Sequence, residues 1–369
     1  MLKRFEVENF KGFQDRLILD LNARDYIFNK DIVKDGIVNK GLIYGQNASD
    51  KSNLGIALFD IVLHSSDKKQ LPLKYLSNYL NLNSAKEYAE FKYVFQFDND
   101  EITYIYHKKD PFNLIDERLF INDKLVLNYS YFNKDNNFID KEISRNLKIE
   151  LNDNKLSVLK FIYRNTPTRP TSPFNKMMSF IDKMLWYRNA SDNNEYSGFT
   201  NGLLFMFDDL YYSNKLDDFE KFLKENNIEY KIEWGNANGM HELFVVFPRN
   251  KKVPFLSIAS KGTKSLFLYF YWKTIAFNKL SFLFIDDYDA FLSNELAQNL
   301  LLDLNKNTNF QTLLTSHNSY LMQNKLTRPD CCFIINKNKI SSLSNKTQKE
   351  IREAHNLEKM YLNGAFNEE

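Results

Sequence analysis

The sequence predicts an α/β fold, with a parallel core sheet, an antiparallel β-subdomain and a helical lid inserted between its halves. Three observations predict it. A brief apolar run, Gly41-Leu42-Ile43-Tyr44, passes through a loop into helical spacing at Leu54, Ala57, Leu58, Ile61 and Val62. Residues 91–129 alternate apolar and polar side chains, as half-buried antiparallel strands do. The C-terminal third then alternates strand and helix patterns, which indicates parallel strands joined by crossovers.

Along the chain, Leu2 to Phe10 reads as a short strand, and Leu17, Leu19 and Leu21 as a partner beside it. Phe91, Tyr93, Phe95 and Phe97 share one strand face. Asp98-Asn99-Asp100-Glu101 is a turn signal, and Ile102, Tyr104 and Tyr106 return. A second hairpin is expected around Leu119–Leu125. Helical patterns follow at Val158–Tyr163, Phe174–Trp186, Leu203–Tyr212 and Leu216–Asn226, broken by Pro167, Pro170 and Pro173. No heptad is sustained long enough for a coiled coil. Trp234–Gly239 reads as a turn before the strand Leu243–Phe247. Gly262–Phe277 reads as a helix, Ser281–Ile285 as a buried strand and Glu295–Leu304 as a helix. Thr312–Thr315 and Phe333–Ile335 read as strands. The expected lobes are 1–150 (phosphate loop and β-subdomain), 151–232 (helical lid), 233–345 (C-terminal lobe) and 346–369 (helical tail).

The 369 residues carry 49 Lys+Arg against 47 Asp+Glu, a net charge of +2. A protein that coats nucleic acid by charge alone is far more basic, although Arg249, Lys251 and Lys252 form a short basic stretch. With 43% hydrophobic and 26% charged residues, disorder is excluded. Cys331 and Cys332 are adjacent, which suits neither a disulfide framework nor a metal site and fits buried strand residues in a reducing cytosol. No apolar run approaches the ~18 residues that span a bilayer, and the N-terminus lacks the apolar core of a signal peptide. A cytoplasmic location without membrane contact is expected.

The strongest motif is Gly45-Gln46-Asn47-Ala48-Ser49-Asp50-Lys51-Ser52. It lies between a strand and a helix, where small residues let backbone N–H groups wrap phosphates and the helix N-terminus adds positive charge. Lys51 would reach the β- and γ-phosphates, and Ser52 would hold Mg²⁺. Asp50 stands where the pattern has a second glycine. A carboxylate ~5 Å from a phosphate charge repels it by roughly 3 kcal/mol at an effective dielectric of ~20. Asp50 is also placed to pair with Lys51. The competing reading is an ordinary helix N-cap.

Phe282-Leu283-Phe284-Ile285-Asp286-Asp287 describes a buried strand with acids at its tip. Asp286 would hold Mg²⁺ through water, and Asp287 would orient or deprotonate an attacking water; an acidic turn is the alternative. In Ser260-Lys261-Gly262-Thr263, Ser260 and Gly262 at a helix start suit a phosphate contact or a simple cap. His317, after Leu313-Leu314-Thr315-Ser316, suits a γ-phosphate sensor or a surface histidine.

The order and spacing of these motifs resemble the bacterial AAA-family ABC-type ATPases of the abortive-infection group, relatives of the RecF, SMC and OLD heads. Asn9-Phe10-Lys11-Gly12-Phe13, Ala259–Lys264, Asp286–Leu292, Thr315–Asn318 and Met360–Phe366 resemble that group's opening strand, signature, Walker B with D-loop, switch histidine and tail. The resemblance implies a P-loop NTPase of the ABC-ATPase head type, with ATP and Mg²⁺ as cofactors. It further implies a homodimer or higher oligomer that sandwiches ATP, with Ser260 and Gly262 facing nucleotide on the other copy. A separately encoded effector in phage defence is the implied partner. Asp50, and Asp287 in place of the longer glutamate, predict slow or absent hydrolysis. Two alternatives remain: a non-catalytic relative acting by protein contacts, and a RecF-like DNA repair ATPase.

Overall fold

The computed structural model describes residues 1–366 except 73, 146, 148, 168, 190–193, 201–203 and 238. The N-terminal part runs β1 (Leu2–Glu8), β2 (Leu17–Asp20), β3 (Val33–Lys34), β4 (Ile37–Val38), β5 (Lys40–Tyr44), α1 (Lys51–Leu58) and α2 (Asp60–Ser65). Next come β6 (Ala89–Phe97), β7 (Asp100–Lys108), β8 (Leu114–Ile121), β9 (Lys124–Ser130) and β10 (Phe138–Ile139). The middle holds α3 (Lys141–Ser144), α4 (Val158–Asn165), α5 (Pro173–Asp182), β11 (Met184–Arg188), β12 (Tyr196–Gly198), α6 (Met206–Tyr212) and α7 (Leu216–Glu225). After β13 (Ile232–Ala237), β14 (Met240–Phe247), β15 (Lys251–Pro254), α8 (Phe255–Ile258) and α9 (Lys261–Ile275), the chain enters β16 (Phe282–Asp286). It ends with α10 (Asn294–Asn305), β17 (Gln311–Ser316), β18 (Cys332–Asn336), β19 (Lys339–Ser342) and α11 (Leu357–Leu362).

Among the described residues these strands build two seven-stranded sheets, a three-stranded sheet β13-β14-β15 and the pair β3-β4. Of the two large sheets, the antiparallel one has the order β10-β9-β8-β7-β6-β1-β2, and the core sheet β12-β11-β16-β17-β5-β18-β19. Alternation in β6 and β7 places Phe91, Tyr93, Phe95, Ile102, Tyr104 and Tyr106 on one buried face. Cross-strand stacking of Phe91 on Tyr106, centroids 5.0 Å apart, fixes its register. Asn122 and Asp123 both take positive φ (49° and 62°), the primed turn whose twist suits the two-residue loop of the β8–β9 hairpin.

One side chain stitches the sheets together. Gln311, at the start of β17, accepts from Leu2 N (2.9 Å) and donates to Leu2 O (2.8 Å) and Val38 O (2.8 Å).

Several expectations are corrected. Phe174–Trp186 is not one helix: α5 ends at Asp182, and Met184–Arg188 forms a strand parallel to β16. No glycine or proline marks the change; Lys183 alone makes the break, and a buried run such as Met184–Tyr187 suits either state. The segment 151–232 therefore supplies two core strands as well as helices. The expected turn over 234–239 is largely strand, with Trp234–Ala237 paired to β14. The helix expected from Leu203 runs from Met206, Leu203 lying outside the described residues. Both cysteines are buried and free, with Cys332 in β18 and Cys331 just before it. Among the described residues no helix is long and apolar enough to cross a membrane.

A second buried feature ties the helix after α1 to the antiparallel sheet. Asp60, fully buried, meets Lys108 Nζ at 2.8 Å, and Lys108 is equally buried. Asp60 also accepts from Tyr75 (2.5 Å), Tyr79 (2.8 Å) and Tyr106 (2.8 Å). Nearby, Glu117 accepts from Tyr104, Tyr131, Ser157 and the Val158 amide at 2.5–2.7 Å. Burial still pushes the Glu117 carboxyl above its ordinary value.

Candidate functional site

Parallel pairing of β11, β16, β17 and β5 aligns four strand tips. Ligand sites of open α/β sheets lie at such carboxyl ends. Arg188 pairs in register with Asp286, and Ser316 with Tyr44, so Arg188, Asp286, His317 and the loop from Gly45 share one end of the sheet.

The loop has the left-handed backbone of a concave nest rather than that of a capped helix start. Ala48 and Asp50 both have positive φ (60° and 65°), which folds successive amides into a concave nest. An N-cap residue would be extended with its side chain on the first turn. Asp50 is left-handed (φ 65°, ψ 19°) and makes no cap bond. Gly45 has no room for a side chain, because a Cβ there would lie 2.2 Å from Ser49 Oγ and 2.8 Å from Ile335. Gln46, Asn47 and Ala48 are exposed, while Ser49 is buried.

Lys51 Nζ donates to Gly45 O (2.7 Å) and Gln46 O (2.9 Å), with His317 Nδ1 at 3.2 Å. Burial lowers its pKa, opposed by the charges of Asp287 and Asp286. The expected Asp50–Lys51 pair is corrected: the Asp50 carboxylate accepts from Asn53 Nδ2 (2.5 Å) and lies against Gly12. A Cβ on Gly12 would come within 2.2 Å of Asp50 Oδ1. A glycine in the Asn9–Phe13 motif thus makes room for the residue that replaces the loop's own glycine. Gly12→Ala is expected to cost about 1–2 kcal/mol by overpacking, and Asp50→Gly in that background to recover most of it. A urea-unfolding double-mutant cycle checks this; additive effects would refute the steric pairing.

At the tip of β16, Asp286 is fully buried and Oδ1 accepts from Thr315 Oγ1 at 2.8 Å. Burial, then the neighbouring Asp287 charge, pushes its pKa up. Asp287 is left-handed (φ 50°), and its amide donates to Thr315 Oγ1 at 2.8 Å. His317 Nε2 stands 3.6 Å from Asp287 Oδ1. Arg188 joins them: Nη2 is 3.1 Å from Asp287 Oδ2 and 3.2 Å from Ser52 Oγ, and Nε is 3.5 Å from Asp286 Oδ2.

The structure thus brings Lys51, Ser52, Asp286, Asp287 and His317 together. Ser260 and Gly262 belong to a different place. Ser260 caps α9, accepting from Thr263 N at 3.1 Å, and a Cβ on Gly262 would meet the Phe291 carbonyl at 2.8 Å. The sequence reading missed Arg188. Its signal was the apolar run Met184–Tyr187 ending in a charge, the same pattern that exposed Asp286.

A glycine-led loop on one core strand, a histidine on the next and a carboxylate pair on the third fit the fold of an ABC-type P-loop ATPase head. A family model described as "AAA domain, putative AbiEii toxin, Type IV TA system" matches residues 42–323. The chain belongs to that AAA family.

Solved structures are similar at low identity. The SMC head domain from Thermotoga maritima is 15% identical, with 92% of this chain and 98% of that chain covered and a TM-score of 0.43. The SmcHead bound to the C-winged helix domain of ScpA gives 12%, 93%, 97% and 0.44. The recombination mediator RecF-ATPrS gives 14%, 93%, 98% and 0.41. No curated protein sequence matches the chain.

Proposed function

We propose that this chain is an ATP-binding head that dimerises on ATP and Mg²⁺ and acts as a switch for a separately encoded effector in phage defence, with slow or absent hydrolysis. The observation that carries it is the convergence of Lys51, Ser52, Asp286, Asp287 and His317 at adjacent strand tips. The loop amides and Lys51 would hold the β- and γ-phosphates, with Ser52 and water-bridged Asp286 on Mg²⁺. The buried Asp286 Oδ2, faced by the Arg188 guanidinium at 3.5 Å, suits a cation. Among the described residues no group of three or more His, Cys, Asp or Glu could hold a metal by itself, which fits an ion that arrives with phosphate oxygens.

Asp287 would act as the weak base and His317 as the γ-phosphate sensor. Exposed Ser260, beside Gly262 and exposed Phe291, would meet the nucleotide of a second head. The family's toxin–antitoxin description supports a role in defence. Tyr44 ends the phosphate-loop strand and packs edge-on against Tyr361 of α11, centroids 5.1 Å apart, which sets α11 beside that strand.

The test is light scattering of wild type and Ser260→Arg with and without ATP–Mg²⁺, alongside calorimetric ATP binding. Wild type should dimerise only with ATP. Ser260→Arg should bind ATP yet stay monomeric. Dimerisation indifferent to ATP would replace this reading with a non-catalytic, contact-only role. DNA-stimulated hydrolysis with salt-sensitive DNA affinity would replace it with a repair role.

A further inference from the structure

Two carboxylates at neighbouring positions, one of them fully buried, need a cation beside them. The chain supplies one itself. Arg188 ends β11, the strand parallel to β16, and its side chain is only 21% exposed. One guanidinium faces three oxygens: Asp287 Oδ2 at 3.1 Å, Ser52 Oγ at 3.2 Å and Asp286 Oδ2 at 3.5 Å. Glu195 Oε2 lies behind it, 4.0 Å from Nη1. Asp286 Oδ2 is buried, and the charge there is offset by this longer ionic contact, with the Ser52 hydroxyl beside it.

The same three residues are the ones that the proposed function gives to Mg²⁺ and to the base. A guanidinium and a divalent ion cannot share that space, and an arginine keeps its charge at every accessible pH. We propose that Arg188 is a resident counter-ion that holds the Ser52–Asp286–Asp287 cluster and competes with divalent metal for it. Metal enters only when nucleotide phosphates add ligands and draw the guanidinium away. A free arginine then stands at the phosphate end of the sheet. The inference rests on the nucleotide reading for its purpose, but the competition itself is a property of the protein alone.

The experiment is Mn²⁺ titrated into the full chain without nucleotide, followed by electron paramagnetic resonance. Arg188→Met is expected to bind Mn²⁺ at least about tenfold more tightly than wild type, because a positive charge within contact distance has gone. Asp286→Asn in the Arg188→Met background should abolish the gain, which locates the ion. Arg188→Lys keeps the charge on a stem that cannot span three oxygens, and it should bind Mn²⁺ more tightly than wild type, a contrast that stands even if Arg188→Met fails to fold. Equal Mn²⁺ affinity in wild type and the folded Arg188 variants overturns the proposal. Failure of the nucleotide reading looks different: wild type would not bind ATP, while the Mn²⁺ contrast would persist.

Discussion

Replacing Lys108 by Met is expected to destabilise the protein by about 3–5 kcal/mol, the cost of stranding a buried carboxylate without its cation. Asp60 would retain three tyrosine hydroxyls, at 2.5, 2.8 and 2.8 Å, but lose the ammonium at 2.8 Å. Urea unfolding followed by circular dichroism measures the loss. Adding Asp60→Asn removes the stranded charge and should recover part of it, a coupling of about 1–3 kcal/mol. If Lys108→Met alone is neutral, the pair contributes nothing net and the packed tyrosines carry the cluster. The effect matters beyond stability. Asp60 opens α2, which follows α1 across the single residue Phe59, so the cluster anchors the helix that carries Lys51 and Ser52.

Lys51→Ala is expected to lower ATP affinity at least about 100-fold, the equivalent of two charge-assisted hydrogen bonds to phosphate. The lysine also donates to the carbonyls of Gly45 and Gln46, so its loss removes a strut from the loop as well as a ligand. Calorimetric titration reads the affinity, and an unchanged melting temperature separates lost contact from lost fold. An unchanged affinity would mean that nucleotide binds elsewhere or that this loop holds none.

Much of this was legible in the sequence, for physical reasons that differ by element. The β6–β7 hairpin announced itself because one buried face imposes a period of two, and Phe91, Tyr93 and Phe95 obey it. The Gly45–Ser52 loop was legible as a strand-to-helix turn because a fixed spacing of small residues, Lys51 and Ser52 reflects one backbone shape. What stayed hidden depends on space rather than spacing. The burial of Asp60 beside Lys108 joins residues on separate elements. The hollow at Gly12 that admits Asp50 links two motifs that a linear reading treats apart. Arg188 was lost with its strand, since helix and strand meet at Lys183 without a turn residue.

Gln311 is a mechanical link between the two sheets. Its amide offers Leu2 a donor and an acceptor, much as a neighbouring strand's peptide would, and reaches Val38 as well. It acts as a hinge pin between the sheets, set at the end of β17 opposite His317. A change in the set of β17 at its histidine end would therefore be felt at the first residues of the chain. Gln311→Ala would remove this polar link while the apolar core shared by the two sheets remains, and the first observable change would be faster amide exchange at Leu2.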